Sequence, residues 1–354
     1  EDPWAGLAPE ERPYRGGAPE LDADDAGDPA PAELKALALA TEDAARSVDG
    51  IANSEGAGVS AGRSVIALAA SHGFVGGYTT SGYSAGATVI AGAGERIQRD
   101  HASHSVRHFA DLDAPEALGR RAAGRALKRL DPAKPPGGTM PVLFGPRVGG
   151  SLVGHLLSAM SGPAVARRTS FLIGREDESI FSDGVVIVDD PHRPRGLKSK
   201  PFDGEGVATS PRRLVERGRV TGWLLNAASA RQLGLETTGH ATRGVGGPPS
   251  TGATNVHVEP GPLSPAELMT DVERGLYVTE LIGQGVNPVT GDYSRGASGF
   301  VIEKGALGAA VAEITIAGNL LDMYRGLAAA DDLQHRRAVN VPTLRVDGMT
   351  VAGA

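Results

Sequence analysis

The stretch DPAKPPGGTMPVLFG, residues 131–145, divides the chain into two parts. Its first eight residues predict a domain boundary, because consecutive prolines and glycines continue neither a helix nor a strand. The apolar run that follows predicts a buried strand. We expect an α+β protein with two domains: a strand-rich first domain with flanking helices over 31–136 and a larger mixed domain over 137–354. An acidic arm rich in proline and glycine precedes them over 1–30.

The amino-acid composition limits which folds, sites and binding partners this protein can have. With 50 glycines, 24 prolines and 4% aromatic residues among 354, turns and strands are favoured over a helical bundle. The absence of cysteine excludes disulfides, thiolate nucleophiles and sulfur ligands for zinc. A net charge of −7 argues against direct nucleic-acid binding. No apolar run approaches the roughly 20 residues that span a bilayer, so we expect a cytoplasmic protein that does not enter a membrane.

The first domain has clear element signals. Residues 31–47 have apolar side chains at helical spacing, and 53–93 alternate short apolar runs with glycine and serine, as in strands. A helix is predicted over 113–130, with Asp113 as its N-cap. Its basic residues Arg120, Arg121, Arg125 and Lys128 are interpreted as a solvated face. The histidines at 101, 104 and 108 are interpreted as strand residues, since no carboxylate follows in a ligand-like register.

In the second domain, a helix is predicted over 151–160, in the stretch GGSLVGHLLSAMSG (149–162). VERGRVTG predicts a hairpin with its turn at Arg217-Gly218. Ser264 and Glu267 form a capping-box pattern that predicts a helix over 265–274. NLLDMYRGLAAADDL predicts a last helix.

Two polar clusters are candidate sites. ETTGHATRG, residues 236–244, combines His240 with Thr242 and Arg243. Imidazole titrates near neutrality and arginine pairs with carboxylates, so this loop could bind an anion or a peptide, but it could equally be a loop tied down by its own hydrogen bonds. The glycine-rich segment 283–299 matches neither the dinucleotide nor the phosphate-loop fingerprint. No G-x-S-x-G elbow supports a serine hydrolase.

Six long stretches of the chain resemble one family. They are PFDGEGV at 201, GWLLNAASARQLG at 222, TTGHATRG at 237, GLYVTELIGQGVNPVTGDYSRGASGFVIEKG at 275, EITIAGNLLDMY at 313 and PTLRVDGMTVAG at 342. They are similar to the TldD/PmbA family of DNA gyrase modulators and peptidases, and within it to the PmbA branch, also called TldE. The resemblance covers most of residues 40–354.

The resemblance implies a metalloprotease motif that this chain has lost. In the TldD branch, HExxxH on a helix and a distant cysteine hold a metal that activates water. Aligned on the shared Val-Gly-His, Gly150 stands in place of the first histidine, Ser151 in place of the glutamate, and only His155 remains. With no cysteine either, we expect no catalytic metal or other cofactor on this chain.

The resemblance also implies a partner. The PmbA branch resembles a non-catalytic subunit paired with a TldD-like chain that carries the metal, expected to be zinc, and the pair encloses a cleft for unfolded or extended peptide. When no partner is present, a homodimer is expected. The residues expected to contact peptide or to build the interface are His240, Thr242, Arg243, Asn287, Thr290 and Asp292. Two alternatives stay open: an autonomous metallopeptidase with unusual ligands, and a regulatory protein that binds gyrase.

Overall fold

The structure is a computed structural model that describes residues 2–135 and 137–353, except for the side chain of Glu95. It has a mixed α+β architecture, which confirms the predicted fold class. Within the described ranges, no helix is long and apolar enough to cross a membrane.

The first domain consists of α1 (Pro31–Arg46), β1 (Ile51–Ala69), β2 (Val75–Ala91), β3 (Gln98–Val106) and α2 (Pro115–Leu127). The three strands form an antiparallel sheet in the order β1-β2-β3, as the strand pattern predicted.

Both helices pack on one face of this sheet, around Ala45, Val89 and Leu118. They approach each other closely at Gly119, where a β-carbon would collide with the carbonyl oxygen of Thr41. The N-cap of α2 is Ala114 and not Asp113, because the Asp113 carboxylate accepts instead from arginine side chains.

The second domain contains two sheets and four helices within the described residues. In chain order its elements are β4 (Gly138–Phe144), α3 (Pro146–Ala159), α4 (Gly162–Ala166), β5 (Ile187–Asp189), β6 (Arg212–Glu216), β7 (Arg219–Val220), α5 (Ala227–Leu233), β8 (Ala241–Thr242), β9 (Ser250–Thr251), β10 (Val256–Val258), β11 (Arg274–Ile282), β12 (Asp292–Glu303), β13 (Ala306–Asn319), α6 (Leu320–Arg325), β14 (Ala328–Ala329), β15 (Val339–Asn340) and β16 (Leu344–Gly353). Strands β8 and β9 form a separate short ladder.

The larger sheet closes on itself. Its order is β13-β12-β11-β4-β16, with β14 outside β16, and β16 pairs back onto β13. Strand β4 runs parallel to β11 and antiparallel to β16. The second sheet has the order β15-β10-β5-β6-β7. One apolar core joins Val278 of the closed sheet, Val256 of the second sheet and Leu152 of α3, so α3 is held between the two sheets.

Three helix predictions in this domain need correction. Helix α3 begins at Pro146, five residues before the predicted start. The helix predicted over 265–274 is a single 3₁₀ turn, Glu267–Met269, although the capping-box hydrogen bonds of Ser264 do form. It does not continue, because the N–H of Val272 bonds back to the carbonyl oxygen of Met269 and the chain enters strand β11 at Arg274, where it pairs with β12. The last helix stops at Arg325, and Ala328–Ala329 pair with β16 instead.

A buried ion network connects the two domains. Asp100 of β3 accepts hydrogen bonds from Arg147 of α3 and from Arg129, which also pairs with Glu280 of β11. The side chain of Asp100 is only 3% exposed. Burial opposes its ionisation, but the hydrogen bonds and charge of Arg147, the N–H of His101 and the charge of Arg129 together outweigh that effect, and the pKa of Asp100 is lowered. Asp113 and Arg336 add a second ion pair across the same boundary.

Candidate functional site

Helix α3 carries Gly150, Ser151 and His155, the three positions that the resemblance aligns with the family's metal motif. Gly145 and Pro146 start the helix directly after β4, and proline suits the first helical position because its missing N–H needs no partner there. Leu152, Val153 and Leu156 are buried in the core. This packing fixes the rotation of the helix and hence the direction of His155.

Gly150 and Ser151 have no side chain that could complete a metal site. A β-carbon at Gly150 would lie 3.6 Å from the carbonyl oxygen of Val339, which is ordinary contact, so packing does not require glycine there. The Ser151 hydroxyl donates to the carbonyl oxygen of Val148, at 2.7 Å, one turn earlier in the same helix. The hydroxyl is therefore used within its own helix.

His155 belongs to a cluster of buried polar groups without partners. Its Nε2 atom, the hydroxyl of Tyr293 and the Nε atom of Arg295 are all buried and have no hydrogen-bond partner among the described residues. The His155 and Tyr293 rings meet edge to face, with centroids 6.1 Å apart. Tyr293 and Arg295 are two residues apart on β12, so they lie on the same face of that strand. We call these three residues the His155 cluster.

The electrostatics of the His155 cluster oppose a bound cation. Arg295 is 8% exposed and forms no ion pair within the part of the chain that the structure describes. Burial lowers the pKa of His155, and the nearby guanidinium of Arg295 lowers it further. Burial also raises the pKa of Tyr293.

A catalytic metal does not fit these residues. A hydrolytic zinc site needs three protein ligands, and a guanidinium beside the one available imidazole repels a second cation. No group of three or more histidine, cysteine or acidic side chains that could hold a metal occurs among residues 2–135 and 137–353.

His240, in contrast, has partners on both ring nitrogens. Its Nδ1 lies 2.8 Å from the Thr238 hydroxyl and its Nε2 lies 3.2 Å from Oδ2 of Asp189. Asp189 also accepts from the backbone N–H of Thr254 at 2.9 Å. All three of His240, Asp189 and Thr254 are buried, and we call them, with Thr238, the His240 network.

The same loop is fixed to its surroundings at Ala241. The backbone N–H of Ala241 donates to Asp203, at 2.9 Å, and its carbonyl oxygen accepts from Nζ of Lys200, at 3.2 Å. Burial lowers the pKa of Lys200 and raises that of Asp203. Thr242 pairs with Ser250 in the short β8–β9 ladder.

Of the three candidate residues in the first loop, His240 is buried, Thr242 is half-buried and Arg243 is exposed. His240 is thus buried inside the network, whereas Arg243 faces solvent.

The second candidate loop is held by its own hydrogen bonds. Oδ1 of Asn287 accepts from the N–H of Val289 at 2.9 Å, and the Thr290 hydroxyl donates to Asp292 at 2.6 Å. Nδ2 of Asn319 donates to the Thr290 carbonyl at 2.9 Å and to Asp292 at 3.2 Å. Asn287, Thr290 and Asp292 are exposed. No hydrogen bond joins this loop to residues 236–244 in the described part of the chain.

Sequence analysis alone did not select several residues of these sites. Asp189 follows an apolar run, so it looked like the end of a strand. Asp203 lay within the quoted family stretch PFDGEGV, and Lys200 directly precedes that stretch, but neither had an assigned role. Tyr293 and Arg295 carried a usable signal: they alternate on a strand with other buried residues, which predicts an inward-facing arginine.

Two sequence profiles match nearly the whole chain. The central domain of the PmbA/TldA metallopeptidases matches residues 24–130, and their C-terminal domain matches residues 137–353. The chain belongs to the PmbA/TldD metallopeptidase family. This result confirms the resemblance inferred from the six sequence stretches.

Individual relatives support the same family assignment. Metalloprotease PmbA of Escherichia coli is 38% identical over 354 residues, which covers 99% of this chain and 76% of the relative. A PmbA homologue of Haemophilus influenzae is also 38% identical, over 95% of this chain and 73% of its own length.

Solved structures of the PmbA/TldD type have the same fold. A Bacteroides thetaiotaomicron protein described as a modulator of DNA gyrase superposes with a TM-score of 0.91 at 28% identity, covering all of this chain and 79% of that one. TldE of Thermococcus kodakarensis gives a TM-score of 0.87 at 23% identity, over 99% of this chain and 80% of that chain. At that identity, the second likeness establishes the fold alone.

Proposed function

We propose that this chain is a non-catalytic PmbA-type subunit that pairs with a TldD-like metalloprotease to process or degrade peptides. The observation that carries the proposal is the His155 cluster. At the position of the family's metal motif it offers one imidazole, and Arg295 supplies a fixed positive charge beside it. Such a site disfavours a catalytic metal, so the chemistry is assigned to the partner, with zinc as its expected metal.

The contribution of this subunit would then be binding. An extended peptide gains affinity from main-chain hydrogen bonds without a fixed sequence, which suits a subunit that presents substrate to another chain. Of the candidate residues, Arg243, Asn287, Thr290 and Asp292 are exposed and can contact a peptide or a partner. His240 and Thr242 would support that surface from within the loop.

Co-expression with the TldD-like chain of the same genome tests the proposal. Each purified chain and the purified pair are assayed for metal content and for hydrolysis of an unfolded peptide. We expect metal and hydrolysis in the pair, and neither in this chain alone. Stoichiometric transition metal on this chain alone, lost on His155→Ala substitution, would establish the autonomous metallopeptidase instead.

Arg243 tests the peptide-binding part separately. Arg243→Ala in the pair is expected to lower peptide turnover, because an exposed guanidinium is removed while the buried network is left intact. Arg219→Ala is the matched control, since Arg219 is also exposed and belongs to the same domain. Equal turnover by both variants would remove Arg243 from the site.

The gyrase-modulator alternative rests on the description of the Bacteroides thetaiotaomicron structure. A pull-down with this chain as bait distinguishes it. Recovery of gyrase in place of a TldD-like chain would favour regulation.

A further inference from the structure

A groove of about 1090 Å³ lies between the two domains. We call it the interdomain groove. One side is formed by β3 and α2, and the other by residues 307–310 and 334–341. Part of its lining is apolar and includes Tyr277, Phe300 and Leu307. The groove is therefore large enough and varied enough to hold a ligand with both polar and apolar parts.

The charge of the interdomain groove is opposite to that of the chain. Seven arginine and lysine side chains line it, against two carboxylates, Asp100 and Asp332. The whole chain has a net charge of −7. Arg121 and Arg125 come from α2 and are half-buried, so the interpretation of this basic face as solvated does not hold for them, whereas Lys128, directly after the helix, is exposed as expected.

Three of these cations, Arg125, Lys128 and Arg337, have no carboxylate partner among the described residues. Arg125 donates to the carbonyl oxygen of His101 at 2.9 Å, and Arg337 donates to that of Arg147 at 3.1 Å. Burial and the positive charge of Arg147 lower the pKa of Arg125 to about 10, and they lower that of Arg337 as well. The cations repel one another, so an anion placed between them would be stabilised.

Strand β3 presents a free edge to the same groove. It is the last strand of its sheet, bonded to β2 on one side only. The N–H of His101 donates to Asp100 and its carbonyl accepts from Arg125, so both groups point away from β2. The alternation of an antiparallel ladder places the N–H and C=O groups of Ser103 and Ser105 on the same open edge. Both serines line the groove, and neither makes a hydrogen bond outside its own sheet within residues 2–135 and 137–353.

The basic lining continues beyond β3. A second cavity of about 260 Å³ shares Ser105, Arg336 and Arg337 with the first and adds Arg193 and Arg195. The positive charge therefore extends along the direction of the strand.

We propose that the interdomain groove binds an acidic peptide segment in extended conformation, which adds as a strand to the free edge of β3 and places its carboxylates on Arg125 and Arg337. The site goes beyond the proposed subunit role, because binding here needs neither a metal nor a second chain.

An acidic peptide satisfies both features of the groove. A small anion would neutralise the arginines but leave the N–H and C=O groups of Ser103 and Ser105 unpaired. A nucleic acid would supply phosphates but lacks the alternating donors and acceptors of a strand. Only a polypeptide provides both the backbone ladder and the negative charge.

Fluorescence anisotropy of labelled peptides on the purified chain tests the site. The probe is a peptide of alternating Glu and Thr, and its neutral counterpart has Gln for Glu. A backbone N-methylated version keeps the charge but cannot donate to a strand edge. We expect the acidic peptide to bind, with affinity that falls as salt rises. Both control peptides are expected to bind at least about tenfold more weakly.

Substitutions in the interdomain groove show where the acidic peptide binds. Arg125→Gln combined with Arg337→Gln is expected to weaken binding by at least about tenfold, because two charge-assisted hydrogen bonds lose their charge. Arg120→Gln is the matched control: Arg120 lies on the same helix, is exposed and is outside the groove. Ser103→Pro removes one N–H donor on the open edge, where proline is tolerated, and is expected to weaken binding as well.

Each possible result of these binding experiments contradicts a different part of the proposal. Equal binding of the neutral and acidic peptides, or an equal loss with Arg120→Gln, would overturn the role of the arginines. Full affinity of the N-methylated peptide would overturn strand addition, whether or not the proline variant folds. Displacement of the acidic peptide by a single-stranded oligonucleotide of equal charge would identify a nucleic-acid site instead. No binding of any peptide would reject the proposal and leave the subunit role untouched.

Discussion

Two histidines of the second domain, the half-buried His155 and the buried His240, have opposite surroundings. His240 has a partner on each nitrogen, and its carboxylate partner Asp189 is itself bonded to Thr254. His155 has a buried Nε2 without a partner, beside two more unpartnered groups on Tyr293 and Arg295. A buried polar group costs free energy unless it is hydrogen-bonded. The His240 network therefore behaves as structure, whereas the His155 cluster retains polar groups that packing does not explain.

The largest effect is expected at the carboxylate of the His240 network. Asp189→Ala leaves the backbone N–H of Thr254 and the ring of His240 without an acceptor in a buried site. We expect a loss of about 3 kcal/mol in the free energy of unfolding, measured by urea titration. Asp183→Ala, at an exposed position, should change it by less than about 0.5 kcal/mol. Similar values for the two variants would contradict the network.

Removing the histidine of the same network should cost somewhat less. His240→Leu keeps most of the side-chain volume but leaves one bond of Asp189 and one of Thr238 unmade. The expected loss is about 2 kcal/mol by the same titration. An unchanged free energy of unfolding would mean that water takes the place of the imidazole. The two histidines would then not differ in whether their hydrogen bonds stabilise the fold.

The same substitution at His155 is expected to change the free energy of unfolding very little. His155→Leu removes a buried nitrogen that has no partner and leaves an apolar side chain of similar size. We expect the free energy of unfolding to stay within about 1 kcal/mol of the wild type. A loss as large as that of His240→Leu would show that the Nε2 atom has a partner in solution, such as an ordered water.

The smallest effect is a difference in pH dependence. The pKa of His155 is lowered in the folded state from its ordinary value of 6.5, so the unfolded state binds this proton more readily. The contribution of His155 to stability is therefore present above that value and is lost as pH falls. Between about pH 7 and pH 5, unfolding free energy should fall less steeply in His155→Leu than in the wild type. Parallel curves would show that the ring is freely solvated.

Local elements could be predicted from the sequence where one residue type decides the backbone. Arg217 and Gly218 both have positive φ, 50° and 74°, and form the predicted hairpin turn between β6 and β7. Gly234 ends α5 with φ of 66°, the left-handed conformation that makes glycine a common residue just after a helix.

Features that depend on distant contacts could not be predicted. The capping box at Ser264 is locally correct, but from Arg274 the chain pairs with the distant strand β12, so only a single 3₁₀ turn forms before it. Arg125 and Arg337 belong to different domains, so neither α2 nor the net charge revealed that they meet in one groove. Near His155, the sequence showed Gly150 and Ser151 beside a single histidine, but only the fold showed that the guanidinium of Arg295 lies near that imidazole.

The closed sheet has a consequence for how the chain reaches its native state. Leu344 of β16 pairs with Phe144 of β4, two hundred residues earlier, and β16 also pairs with β13 to complete the ring. During synthesis, β4 therefore cannot pair with β16 until almost all of the second domain has been made. Contacts of such large sequence separation slow folding and leave strand edges exposed meanwhile. The first domain, whose strands are neighbours in sequence, can form during that interval, so the groove between the domains is expected to be among the last surfaces to assemble.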